Sequence, residues 1–159
     1  MPQNQEHPLK DTVSETRYYK MKRAVAYRQR GLMLVMEDVY NPYNLAAIAR
    51  SCDAFGIQNI AVIFENQEFF NPRDMGKESA VSANKWLDYR LFDNGTADAL
   101  AQLKKEGWYL VATALTDDAQ PLQSLDLTHD KLALIVGNEH AGVSQTTLQA
   151  ADVVMSIPM

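Results

Sequence analysis

The sequence predicts an α/β fold, a mostly parallel sheet with helices on both faces, and three observations predict it. Short apolar runs recur without polar alternation, at Leu32–Glu37, Ile60–Phe64, Tyr109–Ala114 and Leu132–Val136, as in strands buried on both sides. Segments with apolar residues at three- and four-residue spacing lie between them, as in Leu45, Ile48, Ala49, Cys52 and Phe55. Glycines and turn residues punctuate the two kinds of segment, notably Gly56, Gly107 and Asp93-Asn94-Gly95. Strands that alternate with helices make a parallel sheet with crossover helices.

Each element follows in order. Residues 1–13 are polar, hold two prolines and show no periodicity, which reads as a disordered tail. Ser14 reads as the cap of a basic helix over residues 14–31, with Gly31 as its stop. The domain proper then runs over residues 32–159. Leu32–Glu37 is its first strand, Asn44–Phe55 its first helix and Ile60–Phe64 its second strand. A polar loop leads to a turn at Asn71–Asp74, a short helix near Met75–Ser82 and a short strand at Trp86–Arg90. Thr96–Glu106 is a helix, Tyr109–Ala114 and Leu132–Val136 are strands, Ser144 caps a helix to Ala150, and Val153–Ile157 is the last strand.

Size and composition narrow the class. A chain of 159 residues, 47% hydrophobic and 22% charged, suits one domain with a real core. The single Cys52 cannot form an internal disulfide, the N-terminus lacks a signal-peptide apolar stretch, and the longest apolar runs are too short to span a bilayer. These features point to a reduced, cytoplasmic, soluble protein. The net charge of −5 is unevenly spread. Six cations and no acid stand between residues 17 and 30 (Arg17, Lys20, Lys22, Arg23, Arg28 and Arg30), so the remainder of the chain carries −11. Tyr18, Tyr19 and Tyr27 are interleaved with them. Clustered cations with aromatic neighbours suit RNA phosphates and bases. The alternative is a solvated amphipathic helix packed on the domain by Met21, Val25 and Tyr27.

In a parallel sheet, ligands bind outside the carboxyl ends of the strands. The loops holding Asn41–Asn44, Thr113–Thr116 and Gly137–Gly142 all leave such ends, which brings them to one edge. Asn44 and Arg50 differ by roughly 240° on one helix, so they share no face. By themselves they read more readily as a helix cap and a surface arginine than as a site. Gly137-Asn138-Glu139-His140-Ala141-Gly142 carries glycines that permit tight turns and close ligand approach, or serves as an ordinary strand-to-helix connection. It lacks the spacing of a dinucleotide-binding GxGxxG. His140 has no Cys or acidic partners at metal spacing, so no metal site is expected. No nucleophile-elbow, zinc-protease or P-loop pattern occurs.

The combination of segments carries more than any one of them. Arg17-Tyr18-Tyr19-Lys20-Met21 with Arg28-Gln29-Arg30 resembles the N-terminal helix of TrmH-type tRNA methyltransferases. Met36 through Arg50, with Asn41-Pro42-Tyr43-Asn44 inside it, resembles the first motif of the SpoU/TrmH family of RNA ribose 2′-O-methyltransferases. Lys77–Ala83 is similar to that family's middle serine-containing segment. Gly137–Gly142 resembles its second motif, and Ile157-Pro158-Met159 the opening of its third. Ala46 and Ser82 stand where many relatives carry glycine. The resemblance spans residues 17–159.

The resemblance implies a SPOUT-type trefoil-knot fold, a homodimer, and transfer of a methyl group from S-adenosylmethionine to an RNA ribose, with tRNA favoured over ribosomal RNA. It implies Arg50 as the phosphate clamp and alkoxide stabiliser, Asn44 as an orienter of Arg50 or the ribose, and Glu139 as the residue that holds Asn44 or Arg50. It implies a cofactor cradle at Ala114, Leu115, Gly137, Ile157 and Met159. The rest of the third motif, a Ser-Leu-Asn segment and a helix, would follow Met159. Weak cofactor binding and little activity are therefore expected of residues 1–159 alone. The competing readings are a non-catalytic RNA-binding or dimerising remnant and a piece of a longer product.

Overall fold

The computed structural model describes residues 12–73 and 86–157. The expected helix at Met75–Ser82, the segment Lys77–Ala83, most of the N-terminal tail, and Met159 lie outside the described residues. In chain order the elements are α1 (Glu15–Ala26), β1 (Gln29–Glu37), α2 (Pro42–Ala54), β2 (Ile57–Ile63), β3 (Asp88–Phe92), α3 (Thr96–Lys105), β4 (Tyr109–Thr113), β5 (Gln120–Pro121), a 3-10 turn (Leu122–Ser124), β6 (Leu132–Val136), α4 (Gln145–Ala150) and β7 (Val153–Ser156). The strands form one sheet in the order β3-β2-β1-β6-β4-β7-β5, and every pairing is parallel.

Alternation along the strands decides which helix each residue meets. Met33 and Val35 point to one face, where they join Ala61, Ile63, Ala133 and Ile135 under Ala99, Leu100 and Leu103 of α3. Leu34 and Met36 point to the other, with Ile60 and Val62 under Leu45, Ala49 and Cys52 of α2. This is why the strands read as unbroken apolar runs: both faces are covered. Each fully buried leucine of α3 contributes roughly 1.5–3 kcal/mol. A third cluster, Val111, Leu132 and Met155, is covered by Leu125 rather than by a long helix.

Several boundaries differ from the sequence reading. The basic helix ends at Ala26, and Ser14 makes no side-chain cap bond. Gln29, Arg30 and Gly31 belong to β1 instead. Gly31 is no helix stop: the carbonyl oxygen of Asp130 lies only 2.3 Å from where a Cβ would stand, so the strand needs a bare Cα there. Helix α2 starts at Pro42, two residues before the expected Asn44, because Asn41 caps it by accepting from the Tyr43 N–H at 2.9 Å. β2 begins at Ile57 and β3 is Asp88–Phe92. The two-residue β5 was not anticipated; its residues are exposed and carry no apolar pattern. The Ser144 cap is present, its hydroxyl accepting from Thr147 N–H.

Candidate active site

The strand order places a switch at β6. From β1 the chain steps outward to β2 and β3, then crosses to β4 on the far side of β6. Such reversals open a crevice at the carboxyl edge, and the loop after β6 fills it. That loop is tightly wound. Asn138 and Gly142 exchange two backbone bonds, of 2.9 and 2.8 Å, and Asn138 Oδ1 accepts from the N–H groups of His140 and Ala141. Gly137 runs against Gly142 so closely that a Cβ would lie 2.1 Å from its carbonyl carbon. Glycine is required there by packing.

Glu139 projects from this loop to the start of α2. Its Oε1 accepts from Asn44 Nδ2 at 2.7 Å and from the Asn41 N–H at 3.2 Å, while Oε2 accepts from the Tyr40 N–H at 2.9 Å. Partial burial would raise its pKa, but these bonds outweigh it and pull the carboxyl down to about 2. A second tie runs beneath it, from Asn138 Nδ2 to the Asp38 carbonyl at 2.8 Å.

Two acids in front of this cluster fix its foundations. Asp38, a non-glycine residue with a positive φ of 50°, receives the N–H groups of Glu65, Asn66 and Gln67 and the Asn66 side chain. Burial pushes its pKa up, yet those donors hold it below the ordinary value. Glu37, 2% exposed, accepts from Ser144 N–H (3.0 Å), Thr147 Oγ1 (2.9 Å) and Thr96 Oγ1 (3.2 Å). It thus ties the starts of α3 and α4 to the end of β1. A third acid, Glu65, caps α3 by accepting from the Thr96 N–H, where Gly95 has no side chain to do so.

The site residues read from sequence fall into three groups. Asn44 and Glu139 meet directly. Arg50 lies about 9 Å further along the axis of α2 and is exposed. Ala114, Leu115, Gly137 and Ile157 stand at the carboxyl ends of the adjacent strands β4, β6 and β7; Ala114 donates its N–H to Met155 O, and the side chains of Leu115 and Ile157 are exposed. Met159 lies outside the described residues.

The basic segment is elsewhere. Arg17, Lys20, Lys22 and Arg23 are exposed on α1, which buries none of its residues. Met21, Val25 and Tyr27 are exposed too, so they do not pack α1 onto the domain. Arg28 is past the helix end, mostly buried, and paired with Asp53 at 2.5 Å; Arg30 is exposed in β1. Lys20, Met21, Ala24 and Val25 line a cavity of about 880 Å³ with Asp53–Gly56, Gln58 and Trp86, at the amino edge of the sheet. The length of β1, roughly 26 Å, separates that edge from Glu139. Sequence reasoning missed Glu37, Asp38 and Asn138 as organisers; the acidic pair that closes the apolar run of β1 was the available signal.

Among the described residues, no group of three or more metal-ligating side chains occurs, and no helix is long and apolar enough to cross a membrane. The model of the SpoU rRNA Methylase family matches residues 31–159. The chain belongs to the SpoU methylase family. It is similar to the tRNA (guanosine(18)-2′-O)-methyltransferase of Escherichia coli, with 31% identity over 92% of this chain and 62% of that protein. The enzyme of the same name from Thermus thermophilus is 32% identical, over 92% of this chain and 72% of that one. The A. aeolicus TrmH/SpoU tRNA modifying enzyme shares the fold, with a TM-score of 0.78 and 28% identity over 91% of this chain and 71% of that one. This SpoU-family chain therefore spans somewhat under two thirds of the length of the E. coli relative.

The depressed Glu139 carboxyl has a measurable consequence. Its folded value of about 2 lies below the ordinary 4.5, so its stabilisation is complete above about pH 4.5 and lost as the pH falls toward 2. Glu106, held down to about 2 by Arg90, contributes over the same window. Urea denaturation at stepped pH is expected to show a shallower acid limb for Glu139→Gln than for the wild type. Parallel limbs would overturn the ionised, hydrogen-bonded Glu139.

Proposed function

We propose that this chain is the catalytic domain of an S-adenosylmethionine-dependent RNA ribose 2′-O-methyltransferase that acts on tRNA. The observation that carries the reading is Glu139, which clamps Tyr40, Asn41 and Asn44 and so joins the family's first two motifs at one sheet edge. The names of the relatives favour tRNA as the substrate. Homodimer formation and a cytoplasmic setting belong to the same reading, from the family resemblance.

The exposed apolar side chains of Leu115 and Ile157, beside the closely packed Gly137, suit an adenine and a methionine chain. Ala114 belongs to the same cradle, and the family resemblance assigns Met159 to it. When bound, S-adenosylmethionine would supply an electrophilic methyl group to a ribose 2′-oxygen, whose proton leaves to solvent. The chain's own residues align and stabilise. Arg50 carries a guanidinium, a poor base and a good clamp for phosphate and for the developing 2′-alkoxide. Asn44 orients the ribose. Glu139, with its pKa at about 2, is too weak a base to take the 2′-hydroxyl proton, so it acts as the orienter of Asn44. The cations of α1 and Arg30 hold a more distant part of the RNA, about the length of β1 away.

The test is transfer of labelled methyl from S-adenosylmethionine to unmodified tRNA, with ribosomal RNA as the competing substrate. In a version extended with the rest of the family's third motif, Arg50→Ala is expected to lower transfer about 100-fold with the fold intact. Wild-type rates in Arg50→Ala would overturn its role, and a preference for ribosomal RNA would overturn the tRNA assignment.

A further inference from the structure

Two aromatic rings stand exposed on backbone that the Glu139 cluster has already fixed. Tyr40 is 63% exposed, although its N–H is held by Glu139 Oε2 at 2.9 Å. His140 is exposed, although its N–H is held by Asn138 Oδ1 at 2.8 Å. Their rings lie 6.0 Å apart at 67°, an edge-to-face pair that leaves ring faces open to solvent. Neither ring contributes to the core clusters. An exposed ring costs little to immobilise when its backbone is already pinned. Unpaired RNA bases are recognised by stacking on such surfaces, and duplexes are not.

The geometry points to Tyr40 and His140 as a stacking platform for an unpaired RNA base next to the reacting ribose. This rests on the RNA-methyltransferase reading and adds to it a substrate state: the nucleotide beside the site is presented unstacked from its neighbours.

The experiment is fluorescence anisotropy with two labelled RNAs, an unpaired ten-nucleotide oligouridylate and a perfectly paired duplex. Proteins are the wild type, Tyr40→Leu, Tyr40→Phe and His140→Ala. Tyr40→Leu is expected to weaken binding of the unpaired RNA about tenfold, and His140→Ala less. Tyr40→Phe, which keeps the ring, is expected to bind like the wild type, and duplex affinity is expected not to change. Equal thermal midpoints check that the variants fold. Unpaired-RNA affinity that survives Tyr40→Leu overturns the platform alone. A wild type that binds neither RNA overturns the platform together with the RNA reading beneath it.

Discussion

Gly137→Ala is expected to cost about 3 kcal/mol of stability, at the upper end for overpacking, because nothing near it can yield. The added methyl would lie 2.1 Å from both the carbon and the oxygen of the Gly142 carbonyl and 2.2 Å from the Val143 nitrogen. These are backbone atoms, and two backbone bonds between Asn138 and Gly142 hold that strip in place. Relief requires opening the loop, which also moves Glu139 away from Tyr40, Asn41 and Asn44. Urea denaturation measures the loss, and hydrogen exchange at the Asn138 and Gly142 amides locates it. Gly107→Ala is the control: Gly107 has a φ of +87° but nothing within 4 Å of a new Cβ, so only the conformational cost of roughly 1–2 kcal/mol applies. Equal losses in the two variants would show that close packing at Gly137 is not what holds the loop.

Glu37→Ala is expected to cost about 4 kcal/mol, by removing a buried acceptor that three donors share. The Ser144 N–H and the fully buried Thr147 hydroxyl would lose their carboxylate oxygen, at about 1–3 kcal/mol per unsatisfied group, and a cavity adds to this. Glu37→Gln separates the acceptor from the charge. Its amide oxygen can still serve Ser144 and Thr147, while its NH₂ turns to Thr96 Oγ1, which accepts as well as donates. A loss of about 1 kcal/mol is expected for the glutamine variant. The two variants unfolding at the same urea concentration would mean that Glu37 does not organise α3 and α4 through its oxygens.

Much of the fold was legible because burial on both faces writes itself into local sequence. β6 is Leu132–Val136 in sequence and structure alike, and α3 differs by one residue at its end. Where local signals competed, reading was less sure. Asn41 and Asn44 are both good caps; the proline between them decides the matter, since Pro42 fits the first helical position and leaves Asn41 as the cap. Gly31 read as a helix stop because glycine commonly is one, yet its reason lies 99 residues away in the Asp130 carbonyl. For the candidate site, the Asn44–Glu139 pairing was foreseen as one of two options, while the support from Glu37, Asp38 and Asn138 was not.

The sequence by itself determined the α/β class, the helix and strand periods, and the two loops whose order and separation mark the SpoU methylase family. These depend on neighbours along the chain and on residue type. The tertiary structure alone decided that Glu139 grips Tyr40, Asn41 and Asn44, that Gly137 has no room for a side chain, and that the basic helix sits at the opposite sheet edge from Glu139. Those outcomes depend on strand order. β6 comes late in the chain but inserts beside β1, which brings residues nearly a hundred positions apart within hydrogen-bond reach. No local pattern encodes that insertion; packing of both sheet faces selects it.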